Sequence, residues 1–204
     1  MERIFSLSHV TTETNFKGIM KDRAFAPSVI GSKTVQWLGK GVYFWDNCDT
    51  EALSLGRVLA TNKRLKEDEK IRLISLNFGL DESNYIDLDF KKWNENFYNY
   101  LVTSSDGKKV LNILEKIKKN GRKFDTKYQN MVYGLFGRLV DMFVDEVKSH
   151  GIDVKLISYS FYTGKPYKKI ASVGRINKQF CLKDLSVING RIKEWKTDEL
   201  REDM

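Results

Sequence analysis

An α+β fold is expected for this 204-residue chain, with a sheet assembled from both ends of the sequence and a layer of helices supplied by its middle. Three observations predict it. Segments of alternating polar and apolar residues stand in the first half (RIFSLSHV, KIRLISLNFGL) and return near the carboxyl end (DVKLISYSFYTG, RINKQFCLKD). Between them, Phe90 to His150 carries helical spacing almost throughout. A content of 41% hydrophobic and 12% aromatic residues provides enough apolar surface to offset ordering entropy, which excludes a disordered chain.

Each element follows from its own pattern. RIFSLSHV sets Ile4, Ser6 and Ser8 against Phe5, Leu7 and His9, the two-residue period of a strand. TTETNFKGIMKD reads as a helix, capped by Thr11 or Thr12, with Phe16, Ile19 and Met20 on one face. AFAP predicts a second short strand, SVIGSKTVQWLGKG a polar loop holding Trp37, and GVYFW a third strand. DTEALSLGRVLATNKRL predicts a helix capped by Asp49 or Thr50, with Ala52, Leu53, Leu55 and Leu59 apolar. KIRLISLNFGL is a strand, and NYIDLDF adds a turn and a short extended piece. The helical block, about 90–150, divides into three segments near Ser104–Gly107 and Asn120–Asp125 and stops at His150 and Gly151. After the two carboxyl-terminal strands, LSVI is expected to be extended. The charged tail, about 190–204, is expected to fray or to form a short helix. One domain, 1–204, accommodates all of this.

The bulk numbers narrow the partners. A net charge of +8 and a pI near 9.3 suit an anionic partner, or equally a solubilising surface. The first residues lack the apolar run of a signal peptide, and no window approaches 18 uninterrupted apolar residues. A cytoplasmic protein without membrane contact is expected. Cys48 and Cys181 have no CxxC spacing, and His9 and His150 lie far apart. No sequence-local zinc site is expected, and both cysteines read as buried free thiols.

GKGVYFWDN, from Gly39 to Asn47, poses the sharpest question. Tyr43, Phe44 and Trp45 stand in a row, so in a strand one ring must face away from the side that holds its neighbours. Three pieces, in order, resemble the ADP-ribosyltransferase fold in the branch of diphtheria-type toxins and poly(ADP-ribose) polymerases. The first is His9 in LSHVTTETNFKGIMKDRAFAP, the second Tyr43 in GKGVYFWDNCDTEA with Ala52 on the helix that follows. The third is GIDVKLISYSFYTGKPYKKIASVGRINKQFCLKDLSVI, similar to the last strands of uncharacterised bacterial members, in which Gln179 stands where the polymerases carry a glutamate. The likeness covers roughly residues 3–80 and 151–189. It implies a split antiparallel sheet with the helical block inserted between its two halves.

The resemblance also implies a substrate, NAD⁺, whose nicotinamide–ribose bond breaks through a transition state with positive charge on the ribose. It assigns His9 a hydrogen bond to a ribose hydroxyl on the adenosine side, the Val10 backbone the carboxamide, and Tyr43 a ring stacked on the nicotinamide. Taken singly, His9 reads first as a satisfied core histidine and Tyr43 as a cross-strand aromatic; the two together, in family order, favour a nucleotide pocket. A glutamine at 179 keeps the hydrogen bond to the ribose 2′-hydroxyl but loses the charge. At about 5 Å and an effective dielectric near 20 that charge is worth roughly 3 kcal/mol, on the order of a hundredfold in rate. Single-unit transfer rather than polymer growth is expected. Asp184, Glu51 and Asp46 are candidate replacement acids, and Arg23 or Arg57 could pair the pyrophosphate or remain surface groups.

No metal is expected. Basic residues mix with aromatics in KKVLNILEKIKKNGRKFDTKYQ and in FYTGKPYKKIASVGRINKQ. In the second stretch Lys165, Lys168, Lys169 and Arg175 could hold a phosphate backbone and Tyr162 or Tyr167 could stack a base, or the stretch is a solvated charged loop. The leading expectation is a stand-alone bacterial toxin, of a toxin–antitoxin or antiphage system, that transfers one ADP-ribose to nucleic acid, with RNA favoured and an antitoxin protein as partner. The alternatives are a protein acceptor, water as acceptor (an NAD⁺ glycohydrolase), and a degenerate module that binds nucleotide or RNA without catalysis.

Overall fold

The computed structural model describes residues 1–28, 36–46, 70–119, 126–163, 175–188 and 192–195. The first alternating segment forms strand β1 (Glu2–Thr12), and its last residue caps helix α1 (Glu13–Asp22): the Thr12 hydroxyl accepts from the Asn15 N–H at 3.4 Å. Phe16 is buried, with Ile19 and Met20 packed beside it, as the helical spacing demands. Arg23 ends the helix in the left-handed region, φ 52°, where an L-residue pays roughly 1–2 kcal/mol.

Strands β2 (Val42–Asp46), β3 (Ile71–Asp81) and β4 (Tyr85–Asp87) follow, with a 3₁₀ turn at Glu82–Asn84 between the last two. The helices are α2 (Lys91–Thr103), α3 (Ser105–Lys119) and α4 (Thr126–Ser149). Strands β5 (Leu156–Thr163) and β6 (Arg175–Leu182), a 3₁₀ turn at Leu185–Ile188 and strand β7 (Ile192–Trp195) complete the described chain. Among the described residues one 7-stranded sheet runs in the order β4-β5-β6-β2-β1-β3-β7. Its ends and its middle come from distant parts of the sequence.

The sheet is continuous, without a division into two halves, and its pairing is shortest between β1 and β2. β1 pairs with β3 from Glu2↔Asp81 to Thr12↔Ile71, whereas β1 and β2 share only Leu7↔Asp46 and Ser8↔Trp45. All neighbours are antiparallel except β4 and β5. Two apolar layers cover the faces. Phe5, Leu7, Phe44, Phe78 and Phe180 pack with Phe16 of α1, while Ile86, Ile157 and Cys181 pack with Phe97 of α2 and Leu139, Val140 and Phe143 of α4. Each such phenylalanine or leucine contributes about 1.5–3 kcal/mol by leaving water.

Three local expectations are corrected. Residues 24–28, expected as a strand at AFAP, are irregular: Pro27 has no N–H for a ladder, and Ser28 binds the Gly41 carbonyl through its N–H at 2.9 Å and its hydroxyl at 2.8 Å. LSVI is a 3₁₀ turn because the Asp184 carboxylate accepts the Ser186 N–H at 2.9 Å and folds the chain back. Part of the tail, 192–195, is β7, paired with Leu73–Leu76 of β3; the open edge of β3 recruits it despite its charge. The helix expected from Asp49 onward lies outside the described residues.

Candidate functional site

The sheet order makes β6, β2 and β1 neighbours, which carry Gln179, Tyr43 and His9. Their side chains divide between the two faces. Tyr43 stands opposite Cys181, Trp45 opposite Gln179, and Ser8 opposite Trp45. Because side chains alternate, Tyr43, Trp45, Gln179, Cys181 and Ser8 share the face covered by the helical block. Tyr43 packs against that second apolar layer. Of the three aromatic rings in a row, Phe44 is the one turned to the opposite layer.

His9 goes with Phe44, which corrects the expected convergence of three side chains. Its ring lies edge-on to Phe25, centroids 5.1 Å apart, and 5.6 Å from Phe44. The reason is phase: His9 is one residue out of step with Val10, whose side chain falls on the Tyr43 side of the sheet. Contact with Tyr43 is made through its backbone, as His9 Nδ1 bonds the Tyr43 carbonyl at 2.8 Å. An acceptor there makes Nδ1 the protonated nitrogen of the neutral ring. Burial lowers the His9 pKa, with the bond to the Tyr43 carbonyl opposing in part. The imidazole bridges the strands where their ladder stops at Ser8↔Trp45, and Val10 lies just beyond that stop.

The two glycines before Tyr43 are required by geometry. Gly39 has φ 78° and Gly41 φ 150°, and a Cβ on Gly41 would lie 2.5 Å from both Cys181 Sγ and the Leu182 carbonyl oxygen. The turn they allow brings the backbone back over the tyrosine. Tyr43 OH donates to the Gly39 carbonyl at 2.6 Å and accepts the Leu38 N–H at 3.0 Å. Burial raises the phenol far above its ordinary range, so Tyr43 is a neutral, tethered ring. Cys181 beside it is buried and free, as expected, with burial pushing its thiol up to about 11.

Gln179 is half-buried, between Trp45 on β2 and Tyr159 on β5. The two described candidate acids, Asp184 and Asp46, sit elsewhere. Asp184 follows the end of β6 and caps the 3₁₀ turn, with its carboxyl held below the usual range by Ser186. Asp46 is exposed at the end of β2. Arg23 is the left-handed stop of α1. Arg175 opens β6 opposite Thr163, and Tyr162 pairs with Ile176. Glu51, Arg57, Cys48, Lys165, Tyr167, Lys168 and Lys169 lie outside the described residues.

A depression of about 480 Å³ is lined by Glu2, Gly79, Asp81, Asn84, Lys155 and Ser186, at the other end of β1 and β3 from His9. Among the described residues no cluster of histidine, cysteine and carboxylate groups could hold a metal, and no helix is long and apolar enough to cross a membrane. Sequence reasoning missed Asp141 and Lys183, which reach the Gly39–Gly41 turn from α4 and from the end of β6. Their spacing from the turn, 101 and 143 residues at Lys40, leaves no local signal. No protein-family profile, curated protein or solved structure matches this chain.

Proposed function

We propose that this chain is a mono-ADP-ribosyltransferase that uses NAD⁺ as its donor and RNA as its acceptor. One observation carries the reading: Tyr43, after a turn that needs both glycines, shares a sheet face with Gln179 on the adjacent, hydrogen-bonded strand. The bond from ribose C1′ to the nicotinamide nitrogen breaks, and its electron pair leaves with neutral nicotinamide. An acceptor oxygen or nitrogen then bonds C1′ and releases its proton to solvent. Tyr43, only partly buried under the helical block, would offer the uncovered part of its neutral ring to the flat nicotinamide. The Gln179 amide oxygen accepts from the ribose 2′-hydroxyl without lending charge to the cation. His9 serves by holding the Tyr43 carbonyl between β1 and β2 rather than by touching ribose. The excess of positive charge, +8, supports an anionic acceptor. A toxin held by an antitoxin protein is the biological role that suits such an activity.

The test is incubation with labelled NAD⁺ and separate pools of RNA, DNA and protein. Label on RNA is expected, and label on protein alone would overturn the acceptor. Free ADP-ribose without any labelled macromolecule would identify a glycohydrolase. A second reading, a nucleotide-binding module without catalysis, is favoured by the His9 ring packing against Phe25 and by the uncharged residue at 179. It predicts NAD⁺ binding with no release of nicotinamide.

A further inference from the structure

We propose that Asp141 and Lys183 form a charged clamp that positions Tyr43, and that through it the helical block is part of the site. The proposal rests on the reading of Tyr43 as a nicotinamide platform. A lysine ammonium has three donors, and those of Lys183 are matched by three acceptors: the Leu38 carbonyl at 2.6 Å, the Lys40 carbonyl at 2.8 Å and Asp141 Oδ1 at 2.8 Å. Its side chain is only 6% exposed. Asp141 in turn accepts the Lys40 N–H through Oδ1 at 3.0 Å and Oδ2 at 2.9 Å. The pair thereby holds three backbone groups of a turn whose other groups, the Gly39 carbonyl and the Leu38 N–H, are the hydrogen-bond partners of Tyr43 OH.

The packing has been shaped around this contact. Asp141 lies one helical turn after Gly137, on the same face of α4. A Cβ at Gly137 would stand 1.8 Å from the Gln36 carbonyl oxygen, and one at Gly39 would stand 2.0 Å from Asp141 Oδ1. Bare backbone at both positions brings helix and turn together. Stability alone does not explain the arrangement: Lys183 is buried while Asp141 is 21% exposed, and an ion pair largely out of water is often replaced by well-packed apolar residues at no loss. An apolar pair would leave the Leu38 and Lys40 carbonyls and the Lys40 N–H without these partners, and the turn free to take other conformations. What the charges add is one conformation for the segment that tethers the phenol. Asp141 and Lys183 act through the backbone of the turn and are positioning residues.

The test uses the full chain, with Asp141→Asn, Lys183→Met and Tyr43→Phe. Amide exchange at Leu38 and Lys40 in the ligand-free protein reads the clamp, and calorimetric titration with NAD⁺ reads its consequence. Asp141→Asn, nearly isosteric, is expected to keep the fold, to speed exchange at Lys40 about tenfold or more and to weaken NAD⁺ about tenfold. Adding it to Tyr43→Phe should cost little further affinity, because both changes release the same turn. Unchanged exchange in both clamp variants would overturn the proposal, and so would a loosened turn with undiminished NAD⁺ affinity. Wild-type protein that binds no NAD⁺ while the turn still responds would refute the functional reading and the role in it, leaving the clamp a structural tie. Should Lys183→Met fail to fold, Asp141→Asn and the double variant with Tyr43→Phe decide alone.

Discussion

Replacing Gly137 with alanine sets local preference against tertiary contact. In a helix interior alanine is favoured over glycine by about 1 kcal/mol, so α4 alone predicts a stabilised protein. The structure predicts the reverse. The new Cβ would lie 1.8 Å from the Gln36 carbonyl oxygen and 3.2 Å from the Gly39 nitrogen, against ordinary contact distances near 3.5 Å. Helix and turn must separate by more than about 1 Å. Overpacking of this kind costs about 1–3 kcal/mol, and loosening a charge-assisted bond such as Lys40 N–H to Asp141 costs about 1.5–3 kcal/mol. With the propensity gain subtracted, the loss is about 3 kcal/mol, or a fall in Tm of about 6–12 °C for a chain of this size. Gly134 is one turn away on the same helix, and a Cβ there meets nothing within 4 Å. Gly134→Ala should therefore gain up to about 1 kcal/mol. Urea unfolding followed by circular dichroism, with unchanged m-values, gives both numbers. Shifts of the same sign in the two variants would refute the packing argument.

Three further outcomes are expected. Because burial lowers the His9 pKa, the unfolded chain takes up this proton first on acidification. The corresponding stability is complete above the unfolded value of about 6.5 and is lost as pH falls through the folded one. His9→Gln should remove that part of the decline in urea midpoint between pH 7.5 and 5, and an unaltered decline would show that His9 is not its source. Gln179→Glu restores the missing charge and should raise nicotinamide release on the order of a hundredfold; equal or slower release would count against Gln179 as the ribose-facing group. Cys181, fully buried and with its thiol near 11, should resist a thiol reagent at pH 7.5 until the protein is unfolded in urea. Peptide mapping that finds Cys181 labelled in the native state would contradict its burial.

The elements that proved legible are those in which one face had to be buried. β1 and β3 alternate as written, α1 begins at a threonine cap with Phe16 inward, and the three helices of the central block stop close to the expected breaks. AFAP, LSVI and residues 192–195 are less legible, since each is four residues long and takes its conformation from a neighbour. The Gly39–Gly41 turn and its tyrosine stood out in the sequence because three rings in succession cannot all enter one layer. Asp141 and Lys183 did not stand out.

The order of residues alone determined the long periodic elements, β1, α1, β3 and the three helices of the central block, because a period of 2.0 or 3.6 is a property of neighbouring positions. It also determined that the three rings of GVYFW would divide between two faces, but not which is the odd one: the resemblance makes Tyr43 the outward ring, whereas Phe44 is the one turned to the opposite layer and Tyr43 packs on a second core. Only the tertiary structure decided which face each chemically interesting side chain would occupy. That depends on strand register, and a single step of phase moves a side chain through the sheet. So it was with His9, which sits beside Phe25 and Phe44 rather than beside Tyr43 and Gln179. The same holds for Asp141, which meets the turn because two glycines let a helix touch it, and for Lys183, which reaches it from the end of β6. Contacts between groups a hundred or more residues apart follow from packing, and local pattern carries no record of them.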